Sequence, residues 1–210
     1  MNIHELELNN GFKLPYITDL YDLNELEYIV QEIRFLDSKL GDQYETNAAP
    51  ETNFKALKKK GRGVFLDNVY ADRSYSDILT ISRKVFHNED ICDKIRELAE
   101  TNIYWDLFFK LNYDSTLLQN YVNGDYYDYH QDESIITVIS TFLWGTNVKD
   151  GELVIDDLIL PLEHNAAVIF PSIIKHKVNE VIVNGDKFTD PILNGRWSIA
   201  HLASNILRRE

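Results

Sequence analysis

From Asn102 onward the chain is written almost entirely in short runs of β-branched and aromatic residues, each closed by a turn signal. This half of the sequence therefore has few ways to fold. The runs are Trp105–Leu111, Thr116–Val122, Tyr126–His130, Ile135–Trp144, Glu152–Ile155, Ala166–Phe170, His176–Val181 and Arg196–Leu202. Asn123-Gly124, Asp150-Gly151, Asn184-Gly185 and Asn194-Gly195 punctuate them, and such pairs turn an antiparallel strand back on itself. Strands this short and this numerous predict an antiparallel sandwich or barrel.

The first half has a different texture. Leu14 to Ile17 reads as a strand. Leu26, Ile29, Val30, Ile33 and Leu36 then recur at helical spacing behind Asp22, a suitable cap. Tyr75–Phe86 and Asp90–Ala99 also read as helices, with Asn88 and Glu89 at the start of the second as cap and dipole partner. Gly41 to Asn53 is polar and contains Ala49-Pro50, which predicts a loop that covers the core and orders on substrate binding. The expected fold class is α+β: a double-stranded β-helix, or jelly-roll, core with N-terminal helices packed on one sheet. At 210 residues and 44% hydrophobic content the chain suits one domain, with 1–102 as helical support and 103–210 as the jelly-roll core.

Composition removes several function classes. A net charge of -13, with basic residues scattered apart from Lys58-Lys59-Lys60 and Arg62, argues against a nucleic-acid footprint. Met1-Asn2-Ile3-His4-Glu5-Leu6 lacks the basic head and apolar run of a secretory signal, and no stretch is apolar enough to span a membrane, so a cytoplasmic protein is expected. Cys92 is the lone cysteine, which excludes an internal disulfide and leaves a buried structural thiol as its expected role.

The chemistry concentrates at His130-Gln131-Asp132. At a strand end, residues two apart point to one face, so the imidazole and the carboxylate can share one metal while Gln131 points away. A nitrogen from a distant strand completes a two-histidine, one-carboxylate facial triad, a ligand set whose open positions suit Fe(II) and oxygen. His176 is the best-placed third ligand. It follows Ala166-Ala167-Val168-Ile169-Phe170-Pro171 and precedes Arg196-Trp197-Ser198-Ile199.

With these units in order, Leu118 to Ala203 resembles the prolyl 4-hydroxylase-like branch of the 2-oxoglutarate/Fe(II)-dependent dioxygenases. Tyr121, Gly124, Tyr127, His130 and Asp132 follow that family's spacing before H-x-D. Gly151-Glu152-Leu153 and Ala167 to Phe170 match its next strands, and His176, Val178 and Val181 match its distal-histidine strand. The resemblance implies a metal held by His130, Asp132 and His176, and 2-oxoglutarate held by Arg196, Ser198 and the Tyr121 hydroxyl, with Tyr127 on the substrate side. It further implies Fe(II), 2-oxoglutarate and O2 as cofactor and cosubstrates, with ascorbate as an accessory reductant, and hydroxylation of an unactivated C–H. A carboxylate ligand goes with hydroxylation rather than halogenation. The substrate stays open between a peptidyl proline, another amino-acid residue, and a free amino acid or small metabolite. Oligomeric state is not legible.

Three alternatives compete. A non-catalytic jelly-roll module would bind metal or 2-oxoglutarate without turnover, and a zinc hydrolase on the same three ligands would leave Arg196 and Ser198 without a task. Lys187, with Thr189, lies eleven residues after His176, closer to the family's usual separation than Arg196. Gly185-Asp186 and Asp190-Pro191 leave that lysine little room for a strand, so Arg196 is preferred. Of the remaining histidines, His4 and His87 are expected at the surface, His164 beside a turn, and His201 on the strand face opposite Arg196 and Ser198.

Overall fold

The computed structural model describes residues 1–42, 59–145, 147–184 and 190–206. Among the described residues the strands are β1 Asn2–Glu7, β2 Lys13–Thr18, β3 Gly41–Asp42, β4 Lys59–Lys60, β5 Arg62–Phe65, β6 Tyr113–Tyr121, β7 Tyr126–His130, β8 Ile136–Phe142, β9 Val148–Asp150, β10 Leu153–Ile155, β11 Leu158–Ile159, β12 Ala166–Pro171, β13 His176–Val178, β14 Ile182–Val183 and β15 Arg196–Ser204. An eight-stranded sheet runs β1-β2-β12-β8-β15-β6-β5-β3, and a five-stranded sheet runs β11-β10-β13-β7-β4. Every pairing is antiparallel. The result is the expected α+β class with a jelly-roll core.

The long central strands of the large sheet have two unlike faces. On β15 one face carries Arg196, Ser198 and Ala200, and the other carries Trp197, Ile199 and His201, all of them buried. The second face is covered by helices. Tyr21, just ahead of helix Leu23–Leu36, stacks on Phe142 and meets the Ser140 hydroxyl at 3.2 Å. Phe86 sets its ring edge-to-face with His201.

Local chemistry explains the helices. Asp22 accepts from the Asn24 and Glu25 amides while Glu25 reaches back to the Asp22 amide, a complete capping box. Buried Glu32 accepts from the Ser76 hydroxyl and the Ile78 amide, both at 2.6 Å, and so ties that helix to the start of helix Asp77–Ile81. Asn88 caps helix Glu89–Ala99 as expected.

Several expectations need correction. Trp105–Leu111 is not a strand: Ile103–Lys110 forms 3-10 helix capped by Asn102. Its buried Trp105 and Phe108 stand three residues apart, the period of that helix, and the aromatic content of the run disguised it as a strand. Within Tyr75–Phe86 only Asp77–Ile81 is α-helical, with 3-10 turns on either side. Gly41 and Asp42 pair with Gly63 and Arg62 as a strand rather than opening a loop, and residues 43–53 lie outside the described residues. The described residues before 103 supply, besides the expected strand at Lys13–Thr18, the strands β1, β3, β4 and β5, three of them only two to four residues long and too short to show an alternating pattern. Cys92 is half-buried, its thiol 3.6 Å from the Phe86 carbonyl. Among the described residues, no helix is long and apolar enough to cross a membrane.

Candidate metal centre and cosubstrate pocket

His130 closes β7 and His176 opens β13, and the two are direct cross-strand partners. Asp132 follows two residues after His130, its amide donating to the Ser172 carbonyl at 3.1 Å. One ligand atom from each of His130, Asp132 and His176 lies within 4.8 Å of the others. His176 Nε2 stands 3.4 Å from one Asp132 oxygen and His130 Nε2 stands 3.7 Å from the other. The sequence-predicted triad is thus brought together in space.

The donor set suits a divalent ion. Each histidine turns its Nδ1 to a backbone carbonyl, His130 to Asp128 at 2.9 Å and His176 to Ile174 at 3.0 Å. A carbonyl only accepts, so Nδ1 carries the proton and each Nε2 presents a lone pair to the shared point. Burial, then the neighbouring His176, holds the His130 imidazole well below its usual range, which keeps that lone pair free. Asp132 is oriented by the Thr137 hydroxyl at 2.7 Å, and Thr137 is in turn bonded to Ser172 at 2.8 Å.

Tyr127 is placed against the metal group by an irregularity in β7. His176 faces His130 and Val178 faces Tyr127, so two steps on β13 are matched by three on β7. The extra residue is a β-bulge, and it returns Tyr127 to the same face as His130. The two rings stack with centroids 3.5 Å apart and planes 15° apart. On the other side of the tyrosine ring lies the Lys59 amino group, 3.9 Å from the centroid. Burial pushes that amine down to about 7, against the attraction of Asp132 and Asp42.

Arg196 opens β15 behind Gly195, whose φ of 84° and close approach to the Tyr121 carbonyl leave no room for a Cβ. Arg196 is 1% exposed, and its guanidinium donates through Nη2 to the Thr141 hydroxyl at 3.1 Å. Nε and Nη1 are buried with no hydrogen-bond partner, and among the described residues no carboxylate lies within ion-pairing distance. Burial pulls this guanidinium down to about 10, against the influence of Tyr121 and Glu152. Nη2 keeps a second N–H beyond the one given to Thr141, and paired with one of the two orphaned donors it makes a planar two-donor edge that matches the two oxygens of a carboxylate. Ser198 donates to Gln119 Oε1 at 3.3 Å, and Gln119 donates to the Tyr121 hydroxyl at 3.1 Å, which makes a polar row beside the arginine. Gln119 and Thr141 were not legible as site residues; only their register with Ser198 reveals them.

The two halves of the site share one interior. Thr137, which touches Asp132, and Thr141, which touches Arg196, lie on the same face of β8, four residues apart, or on the order of 13 Å along an extended strand. The hollow bounded by Arg196, Thr141, Ile139, Leu153 and Leu160 holds only about 10 Å³, roughly one water, so a carboxylate seats there only if these apolar side chains move outward. Roomier cavities lie elsewhere: one of about 210 Å³ sits between Arg83, Phe86, Phe108 and Ala203.

Lys187 and Thr189 lie outside the described residues. His201 takes the face predicted for it and is fully buried there, with Nδ1 3.1 Å from Asp114. His164 accepts from the Leu143 amide and meets the Trp144 ring edge-on.

Set beside solved structures, the chain superposes on a Pseudomonas putida prolyl-4-hydroxylase over 91% of its own length and 92% of that chain, with a TM-score of 0.55 at 14% identity. The chain shares its overall fold with that structure. A prolyl 4-hydroxylase from Phytophthora capsici matches over 91% of this chain and 58% of that one, with a TM-score of 0.52 and 14% identity. No family model and no curated protein matches the sequence. At such identity the agreement is one of architecture, and the chemistry rests on the residues themselves.

Proposed function

We propose that this protein is a 2-oxoglutarate- and Fe(II)-dependent dioxygenase that hydroxylates an unactivated C–H of a peptidyl proline, another amino-acid residue or a free amino acid. The observation that carries the reading is one interior holding both a convergent His130–Asp132–His176 group and, a few residues along β8, a buried arginine with two unpartnered donors. A zinc hydrolase needs only the first of these.

His130, Asp132 and His176 would hold Fe(II), which with 2-oxoglutarate supplies the oxidising power for C–H hydroxylation when bound. The chain's own residues do the rest. Nδ1–H contacts to Asp128 and Ile174 fix both imidazoles, and Thr137 fixes the carboxylate, so ligand geometry is set before the ion arrives. Arg196 would fork onto the far carboxylate of 2-oxoglutarate, with Thr141 holding the guanidinium in plane and Ser198 and the Tyr121 hydroxyl beside it. Buried Phe170, edge-on to His176, and buried Val178, two residues along β13, would keep water from the reacting end.

Anaerobic titration of Fe(II) in the presence of 2-oxoglutarate should give a weak visible charge-transfer band, and aerobic incubation should release succinate. Both signals should vanish in a His130→Ala, His176→Ala double variant. Undiminished binding and turnover there would refute the metal assignment. A screen of proline-containing peptides and free amino acids for stimulated succinate release, with mass detection of a one-oxygen product, then selects among substrate classes.

A further inference from the structure

We infer that Tyr127, clamped by Lys59, is a positioning residue for the metal ligand His130; the inference rests on the metal reading above. The backbone builds this arrangement deliberately. In a regular strand Tyr127 and His130, three residues apart, would point to opposite faces. The bulge opposite His176 and Val178 puts them on one face, and the outward residues Asp128 and Tyr129 take up the extra length in solvent.

The consequence is a column. Lys59 is the direct cross-strand partner of Tyr127, and its amino group lies 3.9 Å over one face of the ring. An N–H over the electron-rich face attracts it whether or not the amine is protonated. The opposite face of the ring lies 3.5 Å from the His130 imidazole, nearly parallel to it. His130 Nδ1 is already held by the Asp128 carbonyl, but a single hydrogen bond leaves the ring free to rock about its N–H···O axis. A flat ring against its face removes that motion, and so fixes the direction in which Nε2 points. On the other side His130 meets His176, ring centroids 4.1 Å apart, so each imidazole is bounded by a neighbour. His176 is bounded likewise by Phe170, at 4.8 Å and edge-on.

The column makes a claim about ring shape, not about the tyrosine hydroxyl. Co(II) alone serves as the probe, with affinity read by calorimetry and ligand geometry by its visible d–d bands. Tyr127→Leu should weaken Co(II) binding about tenfold and alter the bands, the scale on which partners that orient a ligand act. Tyr127→Phe should restore both affinity and spectrum. Lys59→Met should weaken binding about threefold, through a less firmly held ring. A leucine variant with wild-type affinity and bands would overturn the inference, and so would a phenylalanine variant as weak as leucine. Should Tyr127→Leu fail to fold, the phenylalanine and Lys59→Met variants decide. Tighter binding in Lys59→Met would show the lysine repelling the ion rather than clamping the ring. Absence of Co(II) binding by the wild-type chain would bring down the metal reading and this inference together, an outcome distinct from those that remove the column alone.

Discussion

The two faces of β15 each bury a basic side chain, and they treat it in opposite ways. On the helix-covered face, His201 is fully buried with Nδ1 against Asp114, and Arg73 and Arg83 reach the same carboxylate at 2.8 and 3.4 Å. On the inner face, Arg196 is as deeply buried yet is given one neutral hydroxyl and no carboxylate among the described residues. A buried charge without a counter-ion costs several kcal/mol, roughly, and that cost needs a reason. The outer face is built to be stable by itself, whereas the inner face is built to be completed by something that arrives.

Asp114→Asn should have the largest effect on stability. It leaves Arg73, Arg83 and His201 facing an uncharged amide and should cost about 3–5 kcal/mol in urea unfolding, with 2-oxoglutarate affinity unchanged. The same carboxylate gives a pH test. Burial alone would raise its pKa, but the hydrogen bond and charge of His201, then Arg73 and Arg83, outweigh burial and hold it far below the usual carboxylate range. A folded pKa below the unfolded one stabilises the fold above the unfolded value, about 3.9, and that contribution is lost as pH falls beneath it. Wild-type stability should therefore drop below about pH 4 more steeply than that of Asp114→Asn. Parallel curves would mean the outer cluster is not the stabilising one.

Arg196→Met should show the converse. Loss of the fork should cost about 2–5 kcal/mol of 2-oxoglutarate binding, while the urea midpoint stays level or rises because an unpaired buried charge has gone. A large fall in stability without loss of cosubstrate affinity would erase the contrast between the faces. Tyr121→Phe refines it with the smallest effect. Removing the hydroxyl that accepts from Gln119 should weaken 2-oxoglutarate by about 1 kcal/mol, and an unchanged dissociation constant would confine the polar row to Ser198 and Gln119.

Sequence made some of this legible and hid the rest for identifiable reasons. His130, Asp132 and His176 stand out because two ligands spaced two residues apart at a strand end share a face, and a histidine at the start of a later strand can complete the set. Arg196, Ser198 and the opposite face of His201 follow from strand alternation after the Asn194-Gly195 turn. Tyr127 was legible as a substrate-side residue but not as the neighbour of His130, since period-two alternation places it on the wrong face and only the bulge corrects that. Thr137, Thr141 and Gln119 were invisible because an isolated polar residue in a strand reads as solvent-facing until pairing turns it inward. Lys59 was seen only as part of a basic run, for the strand that presents it is two residues long.

The placement of Thr137 and Thr141 on one strand has a consequence for cosubstrate choice. A β-strand barely stretches, with a rise near 3.3 Å per residue, so β8 acts as a ruler laid between the His130–Asp132–His176 group and Arg196. A keto diacid with one methylene fewer than 2-oxoglutarate, held at its metal end, would stop short of Arg196 and leave that charge as solitary as it is in the free protein. Oxaloacetate should thus compete at the metal but gain little from the arginine. Discrimination between the two acids would then be a property of strand geometry, not of any side chain that touches the difference.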